Sequence, residues 1–262
     1  MLGDPPGVWI LDRHYDNDHN RSVLTFAGSP QSVLEAAIWC AGRAAEVFDL
    51  RLHSGVHPRI GSLDVCPFVP VRGVTLEDCA ALAVAAGEAI WKRFQIPVFL
   101  YEAAARKPEH RNLSHIRRHA GDLSPDIGSP RLHPTAGAAV LGARGFLIAY
   151  NINLDTADLE LAKSIAAHLR KLPSVKALGL YLATRGIVQV SMNLIDYEIT
   201  GIQTVFDAVA RQAPILESEL IGLAPAAALN AEIAARVKLR DFSNEMILER
   251  RIERMEAGAG LD

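Results

Sequence analysis

The strongest constraint on the fold lies in the second half of the chain, where the hydrophobic period switches repeatedly between two residues and 3.6 residues. Short apolar or alternating runs at 146–153, 175–183, 187–194 and 215–220 read as strands, and helical periods occupy 155–171 and 200–212. Asp155 and Thr156 supply N-cap chemistry for the first of these helices. Thr184-Arg185-Gly186 joins the two middle strands as a hairpin. The order strand–helix–strand–strand–helix–strand is the split βαβ arrangement of ferredoxin-like units. Helical segments are expected to close the chain over 225–239 and 241–255.

The first half reads as strands at 8–11, 22–26, 64–71 and 97–101. A helix starts at Ser29-Pro30, with a buried stripe of Val33, Ala36, Ala37, Trp39, Cys40, Ala44 and Phe48. Thr75 and Asp78 form a capping-box signature for a second helix reaching residue 94. Compared with the second half, this order lacks an opening strand and helix. In such a sheet the opening strand is central, and its absence would leave neighbours with unpaired N–H and C=O groups. The strand at 97–101, the first residues of the chain or a strand of a partner subunit is therefore expected to fill the slot. The fold class that follows is α/β (α+β), with two subdomains at 1–145 and 146–262.

Composition narrows the function classes. Half of the 262 residues are hydrophobic, which allows a sizeable core, and the net charge of −3 gives no electrostatic reason to expect nucleic acid or membrane. No run of 18 apolar residues and no signal-peptide pattern is present, so a cytoplasmic protein is expected. Cys40, Cys66 and Cys79 sit in apolar contexts and read as reduced, buried thiols.

Chemistry concentrates in residues 53–72. His53, His57 and Arg59 fall between the first long helix and the apolar strand 64–71, with Asp64 at its start and Arg72 just past its end. Gly55 and Pro58 argue against a helix there, so this is a shaped loop delivering ionisable groups to the mouth of a strand. His57 is the candidate base, against the alternative of a buried histidine bonded to backbone. His110, His115 and His119 have a spacing that suits metal, but Arg111, Arg117 and Arg118 interleave and repel a cation, so no metal is expected. The irregular stretch 121–137 is long enough to suggest a functional loop.

These residues together resemble the formiminotransferase family. The resemblance rests on His57-Pro58-Arg59-Ile60-Gly61 with Leu63-Asp64-Val65-Cys66-Pro67-Phe68, on Asn20-Arg21 with Thr25-Phe26, and on Pro97-Val98-Phe99-Leu100-Tyr101. It continues through Gly142-Ala143-Arg144-Gly145-Phe146-Leu147-Ile148-Ala149-Tyr150-Asn151-Ile152-Asn153-Leu154 and Gln189-Val190-Ser191-Met192-Asn193-Leu194. It implies two ferredoxin-like subdomains with a folate groove between them, the first lacking its opening strand and helix here. The family also tends to carry an acidic residue where His14 stands. Its animal members continue into a cyclodeaminase domain, which is not expected within these residues.

The implied activity is that of a glutamate formimidoyltransferase of histidine breakdown, moving a formimino group from N-formimino-L-glutamate to N5 of tetrahydrofolate. His57 matches the family's catalytic histidine. Gly128-Ser129-Pro130-Arg131-Leu132-His133-Pro134-Thr135-Ala136-Gly137 matches its folate-contacting segment. Arg59, Asp64, Arg72, Asn151 and Asn193 are the substrate-binding candidates, with Arg144 another arginine near enough to take a carboxylate. The basic stretch 106–120 is either a solvated face or an electrostatic lure for the glutamate tail of folate. Tetrahydrofolate is expected as co-substrate and the enzyme as a homodimer. The alternatives are a related formyl transfer and a non-catalytic folate-binding or assembly protein of the same fold.

Overall fold

The computed structural model describes residues 3–16, 20–54 and 59–259. The chain divides into two compact units, with the main boundary in sequence between Gly145 and Phe146; residues 11–16 and 22–25 cluster with the second unit. In chain order the first elements are β1 (Trp9–Asp16), β2 (Arg21–Ala27), α1 (Pro30–Val47), β3 (Val65–Phe68) and α2 (Leu76–Phe94). They are followed by β4 (Val98–Glu102), α3 (Leu113–His119) and β5 (Ala139–Ala143). The remaining elements are β6 (Ile148–Leu154), α4 (Leu159–Leu169), β7 (Val175–Leu182), β8 (Ile187–Leu194), α5 (Ile202–Ala210), β9 (Ile215–Ile221), α6 (Ala231–Arg236) and α7 (Leu248–Ala259).

The first unit is organised on three parallel strands in the order β3-β5-β4. Parallel strands are buried on both faces, and the side-chain period of two divides these cleanly. Val98 and Leu100 of β4, with Ala139, Leu141 and Ala143 of β5, pack with Ala37, Ala41, Ala83, Ala86 and Ile90 of α1 and α2. Phe99, Tyr101, Ala138 and Val140 turn to the other face, against Ile60 and the α3 residue Ile116. Both long helices start as their sequences predict. Ser29 accepts from the Ser32 N–H with Pro30 in the first turn, and Thr75 and Asp78 form a complete capping box.

Neither the 97–101 strand nor the first residues take the central position among the described residues; that position belongs to β5, paired with β3 on one side and β4 on the other. The 97–101 strand is β4, at the far side of β5 from β3; β1 and β2 pair only with each other, and residues 3–8 form no strand. The central strand β5 is one the sequence reading passes over. Its run Ala138-Ala139-Val140-Leu141-Gly142-Ala143 is poor in β-branched and aromatic residues because large neighbours already fill the space. A Cβ on Gly142 would lie 2.3 Å from the Tyr101 carbonyl oxygen.

The second unit is the antiparallel sheet β7-β8-β6-β9, the expected ferredoxin-like order. Tyr150, Ile152, Leu154, Val188, Val190 and Met192 share a core with α4 and α5. The opposite face is polar, because Asn151, Asn153, Gln189, Ser191 and Asn193 alternate with that apolar set along β6 and β8. The free edge of β9 is covered by residues 238–240, with Ser218 N–H donating to the Lys238 carbonyl and Arg240 N–H to that of Ser218, both at 2.9 Å. The helices near the end of the chain, α6 and α7, are shorter or later than their sequence periods suggest.

Helix α4 lies so close on β7 that only glycine fits at the crossing. A Cβ on Gly179 would come within 2.4 Å of the Lys163 backbone nitrogen and 2.5 Å of the Ala162 carbonyl carbon. Gly179→Val is therefore expected to destabilise the protein by about 2–4 kcal/mol or prevent folding, since backbone cannot rotate away as a side chain can. A melting temperature within a degree of the parent would contradict this packing.

Candidate functional site

Residues 60–62 are held by a tight approach of two backbone segments. The Ile60 carbonyl accepts from the Ala138 N–H at 2.9 Å, and the Ser62 N–H donates to the Ala136 carbonyl at 2.9 Å. Gly61 and Gly137 sit opposite each other as an isolated antiparallel bridge. A Cβ on Gly61 would be 1.9 Å from the Ala138 oxygen, and one on Gly137 would be 2.0 Å from the Ile60 oxygen. Gly137 also holds φ at +69°, the left-handed region that glycine enters without strain. The resemblance places residues 53–72 and 128–137 on one groove, and these backbone contacts hold the described parts of the two segments together.

Together they wall a cleft of ≈ 820 Å³ lined by residues of the first unit. Arg59, His53 and Ser54 come from the first segment, and Leu132, His133, Pro134 and Gly137 from the second. Arg117, Arg118, Ala120 and Gly121 close the wall from α3 and the turn after it. Three guanidinium groups around one cleft suit carboxylate or phosphate oxygens. His57, with Gly55, Val56 and Pro58, lies outside the described residues.

Each remaining sequence candidate has a definite place. Asp64 is fully engaged: one carboxylate oxygen accepts from the Ile60 N–H at 2.8 Å and the other is ion-paired with Arg117. Its role here is to hold the loop and aim an arginine. Arg72 is exposed on the turn after β3, and Arg144 donates to the Gly145 carbonyl at 2.9 Å. Gly128 sits at φ +96°, where a Cβ would lie 2.6 Å from the Trp91 ring, so it is a packing glycine. The Ser129 hydroxyl accepts from the Arg131 N–H at 3.1 Å and shapes the loop.

Arg117 and Arg118, part of the basic stretch that the sequence leaves as either a solvated face or a lure for the glutamate tail of folate, line the cleft. The available signal is amphipathicity: Ile116 on α3 and Ala120 just after it are buried, and Arg117 follows Ile116 onto the half-buried side. His115 and His119 stack on that short helix at 4.3 Å between ring centroids. No group of three potential metal ligands occurs among the described residues. His110 takes no part in the cleft; it is fully buried and bonds Asp126 at 2.6 Å. Burial pushes the Cys40 thiol up to about 11 and that of Cys66 to about 12, which keeps both protonated and inert. No helix of the described residues is long and apolar enough to cross a membrane.

Asn151 and Asn193 belong to the polar sheet face of the second unit. Asn151 is buried and donates to Glu219 at 2.9 Å, whereas Asn193 is exposed. The same face carries Asn153 on Glu217 at 3.0 Å, and Gln189 on both Asn153 and Glu219 at 2.9 Å. Arg185 and Arg240 pair with Glu217 at 2.8 and 3.1 Å. Partial burial raises the Glu217 carboxyl, but Arg185, Asn153 and Arg240 overcome it and hold it below its ordinary 4.5. The folded protein thus binds that proton less readily than the unfolded chain. Its stabilisation is complete above the ordinary value and drains away as pH falls through the lowered one. Glu217→Gln should flatten that acid limb of a stability–pH curve, and an unchanged limb would contradict it.

The same logic applies to the Gly61–Gly137 approach. Gly137→Ala combines a left-handed residue with a backbone clash, and should lower stability by about 1–3 kcal/mol or more. Denaturant midpoints that coincide with the parent's would show that the two segments can separate freely.

Two family models match in sequence along the chain. The N-terminal subdomain of the formiminotransferase domain matches residues 2–144, and the formiminotransferase domain model that follows it matches residues 149–255. The chain is 39% identical to a glutamate formimidoyltransferase of Streptococcus pyogenes serotype M1, over 93% of this chain and 88% of that protein. It is 38% identical to a glutamate formimidoyltransferase of Thermoplasma acidophilum, over 94% of this chain and 88% of the relative. A formimidoyltransferase-cyclodeaminase of Mus musculus is 40% identical over 87% of this chain, which spans only 47% of that longer protein. With both of its halves matched in order, the chain belongs to the formiminotransferase family.

Proposed function

We propose that this protein is a glutamate formimidoyltransferase, transferring the formimino group of N-formimino-L-glutamate to N5 of tetrahydrofolate. The observation that carries the reading is the 39% identity to a protein of that name across 93% of the chain. The arginine-lined cleft supports it, because both substrates bear carboxylates and both need cationic or backbone donors.

In this reading N5 of tetrahydrofolate attacks the amidine carbon and a tetrahedral intermediate forms. A proton leaves N5, another reaches the glutamate nitrogen, and the bond between that nitrogen and the carbon breaks. One group titrating near neutrality can serve both transfers, which suits the histidine at position 57. Arg59, Arg117 and Arg118 bind substrate carboxylates, with Asp64 holding Arg117 in place. Residues 128–137 contact the folate. Arg72 and Asn193 are further substrate contacts, and Asn151 acts by holding Glu219. Residues 1–145 and 146–262 work as two subdomains of a cytoplasmic enzyme that forms a homodimer and needs no metal.

The test is turnover of the purified protein with both substrates, parent against His57→Ala. The substitution should lower kcat by about 10²–10⁴ while folate affinity changes little, since a proton shuttle acts mainly in the transition state. A variant within tenfold of the parent would remove His57 as the acid/base. A parent without turnover but with tight folate binding would favour the non-catalytic alternative.

A further inference from the structure

The ring of His133 is committed on one side by the backbone around it. Its Nδ1 accepts from the Ala136 N–H at 3.0 Å and the Thr135 N–H at 3.3 Å. The turn is closed by His133 N–H on the Gly137 carbonyl at 2.8 Å and Gly137 N–H on the His133 carbonyl at 3.0 Å. A nitrogen that accepts two N–H groups carries no proton, so the neutral ring bears its proton on Nε2.

With its inward N–H groups satisfied by the ring, the turn directs its carbonyls outward. The Thr135 carbonyl accepts from the Leu50 N–H at 2.9 Å and the Ala136 carbonyl from the Ser62 N–H at 2.9 Å. The Ala138 N–H adds the bond to the Ile60 carbonyl at 2.9 Å. Residues 135–138 therefore fasten the chain on both sides of the stretch 51–59, before it at Leu50 and after it at Ile60 and Ser62. The ring that shapes this turn also lines the cleft.

We propose that His133 is a positioning residue with two separable duties. Its Nδ1, as acceptor, holds the turn that fastens both stems of the His57 loop, and its Nε2–H donates to a carboxylate or carbonyl oxygen of the ligand in the cleft. Through it, the state of the folate-contacting segment reaches the catalytic loop. The first duty stands on backbone geometry alone; its effect on turnover rests on the function proposed above.

Two substitutions separate the duties. In His133→Asn a side-chain oxygen can still accept from the N–H groups that follow, as asparagine does in turns, while the ring donor is lost. In His133→Ala both are lost. Amide hydrogen exchange at Leu50, Ser62 and Ala138 reads the first duty without any activity. His133→Ala should speed exchange at all three by about tenfold or more, the loss of one buried hydrogen bond's worth of free energy, and lower kcat by a similar factor. His133→Asn should leave exchange and kcat within about threefold of the parent but raise KM for tetrahydrofolate about tenfold. Parent-like exchange in His133→Ala, or equal kcat losses in the two variants, would overturn the proposal. A parent inactive toward formiminoglutamate would instead fault the function, with the exchange result still deciding the clamp.

Discussion

The first unit depends on how closely two backbones can approach at Gly61 and Gly137. With carbonyl oxygens 1.9 and 2.0 Å from where their Cβ atoms would stand, neither position accepts another residue without moving the chain. That contact lets the Ile60–Ala138 and Ser62–Ala136 hydrogen bonds form. It also brings the arginines at 59 and 117 to one cleft with His133. Backbone hydrogen bonds in a loop are only modestly stabilising one by one. Several of them converging on one turn give the site its shape.

Charge placement follows from the same frame. Asp64 bridges the Ile60 N–H and Arg117, so a single carboxylate links the loop to α3. A part-buried arginine aimed into a cleft needs such a partner, because an unpaired cation there would pay a desolvation cost. Asp64 thus fastens the loop to an arginine that lines the cleft. The second unit solves a similar problem on its sheet, where Glu217 and Glu219 are shared among amides and two arginines.

Much of the fold is legible in the sequence because its periods are clean. The alternation along 187–194 and the capping residues Ser29, Thr75 and Asp78 specify local structure by local chemistry, and the structure agrees with them. Strand β5 escapes because its alanines and Gly142 are chosen by the bulk of neighbours distant in sequence, such as Tyr101. The site is legible in pieces for the same reason. Arg59 and His133 stand out by residue type, but nothing local shows that residues 133–138 fasten residues 50 and 60–62. For Arg117 and Arg118 the sequence leaves two readings open, a solvated face or a lure for the ligand, and the place of α3 beside the cleft decides which residues line it. The resemblance supplies what periodicity cannot, namely which histidine to weigh, and the two family models between them cover the residues that carry it apart from 145–148.

Formimino transfer requires that a one-carbon unit pass directly from one nitrogen to another. The most direct measurement labels the formimino carbon of N-formimino-L-glutamate with carbon-13 and follows it by nuclear magnetic resonance in the presence of the protein and tetrahydrofolate. The account predicts that the label moves to N5 of tetrahydrofolate with glutamate released in equal amount. Label that stays on the donor, or emerges as free formamide or formate while tetrahydrofolate is unchanged, would contradict it.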